Sequence, residues 1–450
     1  MNTSRRLLLL FFTVAFLIIA PLLIVYGLGY KYNWQRKEWQ QTGVFFVKSY
    51  PKSADIFIND VKEKKVTPTQ VTNLLPDTYA VRVQKDGYRP WKKNLTIEPK
   101  ITTFIEDVSL FYEQPVAKQI LTGNFTSFLK HETKPLIALL EQKDKKDYLK
   151  VYNSQNNTVK DAYNAPLNTL AILDWSWSGQ KLLLQNKKTK NFIIANLETE
   201  SVKTLPATIT AWQDLKWDQN NDNFIFGLDK NNVLWHYDLT KNISVIAVKD
   251  EKILTYAHRP EGLIIVTAEK NQDILKIEQG NKFVGVLNLP KTSTYSFNFT
   301  PEQKTFLSLF DASQRKLYLI DLENKENPLS ASLDNVGSFK WLDKNRLLTW
   351  NEAELSVFYP NGGAKNLVER TSQKIEFGLW HPNGVYVYGI INNRVKLYEL
   401  DTRDQKNIYE FQDITLSAPN FVATNTQGDE LYFAGIWSDQ PSGLWSIKIQ

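Results

Sequence analysis

The stretch WSWSGQKLLL at residues 175–184 decides the fold of most of this chain of 450 residues. It combines an aromatic-led turn, a Gly four positions after the first Trp, and an apolar strand. The phrase returns at starts that are 39 to 44 residues apart, and a fixed period near 40 residues is typical of stacked or radially arranged repeats. The further copies are WDQNNDNFIF from Trp217, HRPEGLIIV from His258, FTPEQKTFL from Phe299, WLDKNRLLTW from Trp341, WHPNGVYVY from Trp380 and TNTQGDELYF from Thr424.

Every copy is followed by a second run that is rich in β-branched and aromatic residues and bounded by Asn, Asp, Gly and Lys, which predicts a strand. A weaker first copy precedes Trp175, with PLIALL at 135–140 and YLKVY at 148–152 as its two strands. The sequence therefore predicts eight repeated units. The second runs of the seven clear copies are NFIIANL (191–197), VLWHYDL (233–239), DILKI (273–277), KLYLIDL (316–322), LSVFY (355–359), RVKLYEL (394–400) and LWSIKI (444–449).

A period of this length with several strands per unit suits a propeller blade of four strands. The lead Trp is expected to fill the wedge between neighbouring sheets, and the Gly or Asn to supply the positive φ of a tight turn. The phrases WSWSG (175–179) and WHPNG (380–384) resemble the Trp-Ser-Pro-Asp-Gly phrase of TolB-type, WD40-like β-propellers, and the resemblance covers residues 113–450. It implies an all-β ring, for which we predict eight blades, or seven if the weak first copy is not a blade.

Individual copies depart from the phrase, but the strand that follows survives in each. The last unit ends at its third strand, so we expect its outer strand to come from VAKQIL at 116–121, which would close the ring. The departures are His258, Phe299 and Thr424 in place of the Trp, and Asn221, Gln303 and Asn345 in place of the Gly.

The N-terminal region predicts where the ring lies. Residues 7–29 contain no charge, and a helix of that length spans a hydrocarbon core of roughly 30 Å with some tilt. A cleavable signal peptide is the competing interpretation, because two Arg precede the run. We favour an uncleaved anchor, since the run is long, no A-x-A-like site follows, and Tyr26, Tyr30, Tyr32 and Trp34 resemble an interfacial aromatic belt.

The order of segments gives the predicted domains. They are a cytoplasmic leader (1–6), a transmembrane helix (7–29), a juxtamembrane linker (30–42), a small β-sandwich (43–112) and the propeller (113–450). The cationic residues flanking the helix are nearly balanced, so the orientation rests on the simplest insertion, with the large domain translocated. We therefore predict a single-pass protein of the cytoplasmic membrane with the bulk of the chain extracytoplasmic.

Composition limits the chemistry and the partners. The absence of Cys excludes disulfides, thiolate metal sites and a Cys nucleophile. The formal charge of +6 is uneven, with +4 in residues 1–42, +3 in residues 43–112 and −1 in the remainder. The basic excess therefore lies beside the predicted membrane, where anionic head groups or wall polymers attract it. Since the large domain is neutral, nucleic-acid binding has no support.

Between the anchor and the ring, short alternating runs at 43–51, 54–60, 78–88, 92–99 and 102–110 predict a small antiparallel β-sandwich. The segment resembles the PEGA domain, although Asp77 replaces the family's turn Gly. The resemblance implies an extracytoplasmic module with no assigned chemistry. The matching residues are Ser49, Pro51, Ala54, Ile56, Ile58, Thr67, Pro68, Leu75, Pro76, Tyr79, Val81, Val83, Gly87 and Tyr88, followed by Trp91.

Candidate catalytic and metal-binding residues are few. No HExxH, GxSxG, P-loop or GxGxxG is present, and the four His are expected to be structural: His131, His236, His258 and His381. The acid pairs Asp229 with Asp238 and Glu352 with Glu354 suit a propeller glycosidase only if their carboxylates converge. A calcium site among Asp174, Asp214, Asp218, Asp222 and Asp229 lacks EF-hand spacing, and residues 218–223 are better interpreted as an exposed turn.

The sequence thus predicts no catalytic residue, no cofactor and no metal, and it leaves the ligand-binding residues unknown. We predict a membrane-anchored extracytoplasmic binding or scaffolding protein whose propeller binds an envelope protein or a wall polymer. The alternative is an envelope polysaccharide hydrolase or lyase acting on a propeller face. The two differ in whether acidic or His side chains with perturbed pKa values converge at the channel.

Overall fold

A computed structural model describes residues 3–249, 251–259, 261–291, 294–299 and 306–450, with the backbone alone for Thr3, Ser4, Arg6 and Phe299. The predicted lead side chain of Phe299 and the turn residue Gln303 therefore lie outside the described residues. Two compact units are present. The first unit comprises Met1–Val116, Glu399–Asn407 and Lys448–Gln450, and the second comprises Ala117–Tyr398 and Ile408–Ile447.

The first unit begins with a helix, α1 (Thr3–Gly27), of 25 residues. Its charge-free part, Leu7–Gly27, is exposed along its length and is long and apolar enough to cross a membrane, by length and composition only. Leu28 and Gly29 lie beyond the helix, because Gly29 adopts a φ of +80°, so the helix is two residues shorter at this end than the predicted 7–29 span.

A two-stranded hairpin follows within the segment predicted as a linker. Its strands are β1 (Tyr30–Asn33) and β2 (Glu38–Gln41), which pair antiparallel from Tyr30 with Gln41 to Asn33 with Glu38. At its base, Thr42 donates from its backbone N and its hydroxyl to the carbonyl of Gly29, at 2.8 and 2.9 Å. Leu28 and Gly29 connect the hairpin to the helix, and the bonds from Thr42 close its base.

The rest of the first unit is the predicted β-sandwich. One sheet has the order β6-β3-β9 and the other β5-β4-β7-β8. Their strands are β3 (Gly43–Tyr50), β4 (Asp55–Ile58), β5 (Val61–Val66), β6 (Thr69–Leu74), β7 (Thr78–Gln84), β8 (Trp91–Thr96) and β9 (Thr102–Ser109).

Two features of the sandwich differ from the prediction. The sandwich is not wholly antiparallel, because β3 pairs with β9 in parallel, from Val44 with Thr102 to Tyr50 with Ser109. Alternating burial is the same for both pairings, so the pattern did not distinguish them. Strands β5 and β6 were not predicted, since all but one of their residues lie at least partly open to solvent and β5 carries three Lys.

The residues of the PEGA resemblance hold the turns and the core of this sandwich. The hydroxyls of Ser49 and Thr67 lie 2.6 Å apart, and Thr67 also accepts a bond from the backbone N of Ala54 at 3.0 Å. Tyr79 donates to the carbonyl of Leu75 at 2.9 Å. The core packs Phe45, Ile56, Val83 and Trp91 among other buried apolar residues. The motif is thus explained by packing and turn geometry.

The second unit is built almost entirely of β-sheets, with one short 3-10 helix at Ala207–Ile209. It begins with β10 (Ala117–Thr122). The next four sheets, each of four strands in chain order, contain β11 (Phe125–Lys130), β12 (Leu136–Lys143), β13 (Lys146–Asn153) and β14 (Thr158–Pro166); β15 (Leu170–Trp175), β16 (Lys181–Asn186), β17 (Phe192–Asn196) and β18 (Ser201–Thr204); β19 (Gln213–Trp217), β20 (Phe224–Leu228), β21 (Leu234–Asp238) and β22 (Ile243–Val248); and β23 (Ile253–Arg259), β24 (Gly262–Ala268), β25 (Asp273–Gln279) and β26 (Lys282–Leu289).

Three more four-stranded sheets and a closing sheet complete the second unit. The closing sheet has the order β10-β42-β41-β39, with β40 also paired to β41. The strands are β27 (Tyr295–Phe299), β28 (Phe306–Asp311), β29 (Lys316–Asp321) and β30 (Leu329–Leu333); β31 (Ser338–Asp343), β32 (Arg346–Trp350), β33 (Glu354–Tyr359) and β34 (Ala364–Arg370); β35 (Ile375–Trp380), β36 (Tyr386–Ile391), β37 (Arg394–Glu399) and β38 (Ile408–Phe411); and β39 (Ile414–Leu416), β40 (Val422–Thr424), β41 (Glu430–Trp437) and β42 (Gly443–Lys448).

The sheets follow the predicted repeat, and the predicted closure is present. Strand β10 pairs antiparallel with β42, from Ala117 with Ile447 to Thr122 with Gly443. One apolar cluster joins Phe125 and Phe128 of β11 to Phe421 and Tyr432 of the closing sheet. The fold is all-β and of the propeller type, as predicted. Eight sheets are seen among the described residues of this unit, while the number of blades stays a prediction.

The lead Trp residues join neighbouring sheets, as expected. The indole N–H of Trp175 donates to the carbonyl of Leu129 in the preceding sheet at 3.0 Å, and that of Trp380 donates to the carbonyl of Lys340 at 2.8 Å. The turn Gly residues have positive φ, with +76° at Gly179. They carry a second constraint, because a Cβ at Gly179 would lie 3.2 Å from the ring of His131 in the preceding sheet.

Candidate functional site: charged side chains on the channel wall

We infer that the first strand of each sheet lies on the channel side of the ring. At the opposite edge, β18 and β22 present mostly exposed side chains to solvent. Charged residues of β11, β15, β19 and β31 act on one another electrostatically. Strand β31 belongs to a sheet that is far from the other three in chain order. Such convergence of edge strands occurs around a central channel.

Two Lys from different sheets meet at this channel. Burial lowers the pKa of Lys130, the charge of Lys340 lowers it further, and Glu132 opposes both effects. Burial also lowers the pKa of Lys340, again opposed by Glu132. The side chain of Lys340 is nevertheless reached by water. A group that is surrounded by protein but open to water is expected on the wall of a channel, so we place Lys340 there.

Asp174 adds an acid with an unusual pKa. Burial raises the pKa of its carboxyl to about 6, and the charge of Glu132 adds to the rise. The backbone N of Trp175, which donates to the carboxylate at 2.8 Å, and the charge of Lys216 oppose it. Because its pKa lies near 6, Asp174 exchanges a proton close to neutral pH, which an ordinary surface Asp does not do.

Local irregularities direct these side chains. The pairing of β15 with β16 shifts between Ile172 and Asp174, and that of β19 with β20 shifts between Gln213 and Lys216. A bulge of this kind re-aims the following side chain and occurs often beside functional sites. Lys216 is then held by the carboxylate of Asp214 at 2.8 Å and by the carbonyl of Tyr256 at 3.1 Å.

The channel wall therefore carries both signs of charge, from Lys130, Glu132, Asp174, Lys216 and Lys340. A ligand that enters it meets ammonium donors and carboxylate acceptors on a rigid sheet framework. Such a wall suits reversible binding of a polar chain or side chain. Asp174 contributes an acidic group whose pKa is raised toward neutrality. A hydrolase is expected to bring two or three such groups together, and this wall provides part of that set.

The predicted structural role of two His is visible in their bonds. His131 is buried, accepts at Nδ1 from the backbone N of Lys134 at 3.1 Å, and lies with Nε2 3.2 Å from the carbonyl of Ser176. His381 repeats the arrangement, with Nε2 3.0 Å from the carbonyl of Gly428. Acceptance at Nδ1 leaves the proton on Nε2, so each ring donates to the turn of the next sheet.

The other two His lie near each other, against aromatic rings. His258 stacks on Phe226 at 4.8 Å, and its Nδ1 is 3.5 Å from a carboxylate oxygen of Asp218. His236 packs against the same Phe226. Burial lowers the pKa of His236, opposed by the charges of Asp238 and Asp218. Within the described ranges, no group of three or more His, Asp or Glu side chains is arranged to hold a metal ion.

The first predicted acid pair is divided between two turns. Asp229 accepts from the backbone N of Val233 at 3.0 Å and from the indole of Trp235 at 3.1 Å. Asp238 accepts from the backbone N and the hydroxyl of Thr240 at 2.8 and 2.6 Å. Each carboxylate thus stabilises its own turn.

The second acid pair is engaged in separate ion pairs. Glu352 binds Arg315 at 2.7 Å, and Glu354 binds Arg370 at 2.7 Å. The oxygen-rich segment 218–223 forms the turn between β19 and β20, as predicted, but it is not exposed throughout, because Asp218 is buried. Asp218 accepts there from the backbone N of Asn220 at 2.7 Å.

The channel residues were not predicted as a group, although the sequence holds a signal for them. In three repeats a charged residue directly precedes the lead Trp, as Asp174, Lys216 and Lys340. In the first repeat, Lys130 takes the position of the lead aromatic residue itself. Since the lead Trp fills the wedge, the residue before it is turned to the other face of the strand. The missing information was which edge of each sheet lines the channel.

Comparisons with known proteins identify one domain of the chain. The family model of the PEGA domain matches residues 42–108, which confirms the predicted resemblance. No curated protein matches the chain. Among solved structures, it is similar to a chain of the "Crystal Structure of Mitotic Checkpoint Complex", with a TM-score of 0.41 and 15% identity, covering 62% of this chain and 86% of that one. It is also similar to dihydro-heme d1 dehydrogenase NirN, with a TM-score of 0.47 and 13% identity, covering 69% and 70%.

Proposed function

We propose that the protein is a membrane-anchored extracytoplasmic binding protein, and that the charged channel wall of its propeller holds an envelope protein or a wall polymer. The observation that carries the proposal is the convergence of Lys130, Glu132, Asp174, Lys216 and Lys340 on a water-accessible wall. Charged groups in a dry core are costly unless they are paired. Charges kept open on a rigid ring are suited to a polar partner.

The membrane setting follows from the order of segments. The apolar helix precedes a segment that matches the PEGA domain, and such domains are expected outside the cytoplasm. We infer that the helix is an uncleaved anchor with its N-terminus in the cytoplasm. Alkaline carbonate should leave the chain in the membrane pellet, and protease added to spheroplasts should degrade the propeller. Release by carbonate, or full protection from protease, would contradict the anchor or its orientation respectively.

The binding step is tested by crosslinking on intact membranes. The full chain should capture a partner, and the double variant Lys130→Gln and Lys340→Gln should reduce the captured amount at least fivefold, because each substitution removes a cation from the wall. The matched control is Lys187→Gln with Lys188→Gln, two exposed Lys of the turn between β16 and β17. Equal capture by all three proteins would show that the partner binds elsewhere.

Asp174 favours a second candidate function, hydrolysis or elimination on an envelope polysaccharide. A carboxyl with a pKa of about 6 is suited to donate a proton at near-neutral pH. If this candidate is correct, purified protein should shorten a wall polysaccharide with a pH profile that has an inflection near 6, and Asp174→Asn should abolish the reaction. Binding of the polymer without any shortening would contradict the enzymatic function.

A further inference from the structure

The hairpin β1–β2 presents an unusual set of side chains to solvent. Trp34 is 84% exposed and Trp39 is 48% exposed, and both rings contact Tyr32 edge-on at 4.9 and 5.5 Å. Large aromatic side chains exposed together on a short, two-stranded ribbon are unfavourable in water, where such a ribbon is itself only marginally stable. Trp and Tyr are enriched where protein crosses the boundary between hydrocarbon and water.

Three cations accompany these rings. Lys31, Arg36 and Lys37 are all exposed, and among the described residues none of their side chains pairs with a carboxylate. Asn33 fixes the turn that carries two of them, since its Oδ1 accepts from the backbone N of Gln35 at 3.0 Å and of Arg36 at 3.1 Å. The cations are thus held beside the Trp residues on a preformed turn.

The chain geometry fixes the depth of the hairpin. Only Leu28 and Gly29 separate α1 from β1, so the hairpin begins within about 10 Å of the helix end. On its other side, Thr42 is bonded to Gly29, and a Cβ at the next residue, Gly43, would overlap the carbonyl of Glu98 at 2.5 Å. If α1 spans a membrane, the hairpin has no slack with which to leave its surface.

A cavity of about 730 Å³ opens between the helix, this hairpin and the sandwich. Its lining includes Leu22, Leu23 and Tyr26 of α1, Lys31, Trp34 and Arg36 of the hairpin, and Leu75, Pro76, Asp77 and Tyr79 of the sandwich. The apolar side chains of α1 suit an acyl chain, and the two cations suit a phosphate. This combination fits a phospholipid with an anionic head group.

We propose that hairpin β1–β2 is a binding surface for anionic phospholipid in the leaflet that contains the C-terminal end of α1. Lys31, Arg36 and Lys37 contact the phosphates, Trp34 and Trp39 lie among the glycerol and upper acyl groups, and an acyl chain fills the cavity beside Leu22 and Leu23. The inference rests on the proposed anchor and is independent of what the propeller binds.

The test uses the full chain reconstituted in vesicles of phosphatidylglycerol and phosphatidylcholine, then extracted in mild detergent. Native mass spectrometry should show phosphatidylglycerol retained in excess. The triple variant Lys31→Gln, Arg36→Gln and Lys37→Gln should lose the excess by an order of magnitude or more, since each cation near an anionic surface contributes roughly fivefold. The control triple, Lys48→Gln, Lys64→Gln and Lys65→Gln, removes equal charge from exposed positions of the sandwich and should retain the lipid.

A second measurement guards against misfolding of the triple variant. Because the chain contains no Cys, Gln35→Cys carries a unique spin label at the hairpin turn. The label should become more accessible to oxygen, and less to a water-soluble relaxer, in anionic than in neutral membranes. The proposal is overturned if lipid retention is equal in wild type and the first triple, if both triples lose it equally, or if the label stays in water in anionic membranes. Failure of the anchor would instead appear as release by carbonate.

Discussion

Two regions of the molecule carry charge away from the open surface, and they treat it in opposite ways. In the first unit, Lys93 and Glu399 form an ion pair at 3.1 Å with side chains only 0% and 5% exposed. In the second unit, we place Lys130 and Lys340 on the channel wall, where burial lowers the pKa of both and the charge of Lys340 lowers that of Lys130 further. The charges of the first region are buried and paired, whereas those of the second are open to water and only partly neutralised by charges of opposite sign.

The paired region satisfies nearly every polar atom it buries. Glu399 accepts from the indole of Trp91 at 2.6 Å and from the side chain of Asn407 at 2.9 Å. Lys93 also donates to the carbonyls of Asp401 and Gln405, both at 3.0 Å. Such a network fixes the segment 399–407 within the first unit. The comparison teaches that full pairing indicates a structural role, and open charge indicates a place for a ligand.

The largest expected effect comes from breaking the closed pair. Lys93→Met leaves Glu399 buried without its cation, so we expect a loss of about 3–5 kcal/mol in the free energy of unfolding of the first unit. The matched change in the channel, Lys340→Met, should leave the second unit within about 1 kcal/mol of wild type, because it removes a charge that burial already disfavours. Hydrogen exchange of peptides covering β8 and residues 338–343 measures both. Equal losses would remove the distinction between the regions.

A smaller, pH-dependent effect is expected at Asp174. Burial raises its pKa to about 6 in the folded chain from an ordinary 3.8, so the folded state keeps a proton that the unfolded state releases between these values. Stability therefore falls as pH rises from about 4 to 6 and stays lower above 6. Asp174→Asn removes this loss and should stabilise the second unit by about 1–2 kcal/mol at pH 7.5, with little change at pH 4.

Asp229→Asn is the control, and its expected effect on stability at neutral pH is opposite to that of Asp174→Asn. Although burial opposes it, bonds from Val233, Trp235 and Asn231 lower the pKa of Asp229. Its contribution to stability is therefore present above the ordinary pKa of Asp and lost as pH falls through the lower folded pKa. Asp229→Asn should destabilise at pH 7.5. Thermal unfolding at several pH values measures both variants, and parallel pH profiles would contradict the assignment of Asp174 to the channel.

The smallest effect is expected for a pair that is neither buried nor on the channel wall. Glu352 binds Arg315 at 2.7 Å, with side chains 62% and 37% exposed. Water screens such a pair, so Glu352→Ala should cost about 0.2–1 kcal/mol, and less in high salt. Urea unfolding in low and high salt checks this value. A loss as large as that of Lys93→Met would mean that exposure does not separate these roles.

The parts of the fold that repeat along the chain were predicted well from the sequence. Each copy of the phrase carries its own turn and strand signals in the sequence, so the strands of the described residues, including the weak first unit and the closing strand β10, were found from short windows. The sandwich strands β5 and β6 were missed because their exposed Lys and Thr give no apolar alternation. The parallel pairing of β3 with β9 leaves no local trace, since it depends on which sheet a strand joins.

The candidate site was harder to predict than the fold because its members meet only after the ring closes. Asp174 was considered only as one of five possible calcium ligands, and Lys340 carried no motif at all. The closed network shows the same limit, because Lys93 and Glu399 lie in predicted strands that are 306 positions apart, and nothing in either strand indicates that the two side chains pair. Trp91 was noted only as following the residues of the PEGA resemblance, and its bond to Glu399 is visible only in three dimensions.

The pairing of β10 with β42 also affects how the chain folds during its synthesis. Gln119 donates to the carbonyl of Pro441, 322 residues further along the chain, so a nascent chain exposes β10 long before its partner strand exists. At about 5–20 residues per second, this interval lasts roughly 15 to 60 seconds. During synthesis, an unpaired edge is open to pairing with another chain. The ring is thus most vulnerable to misassembly while it is being made, and it loses that vulnerability in a single late step.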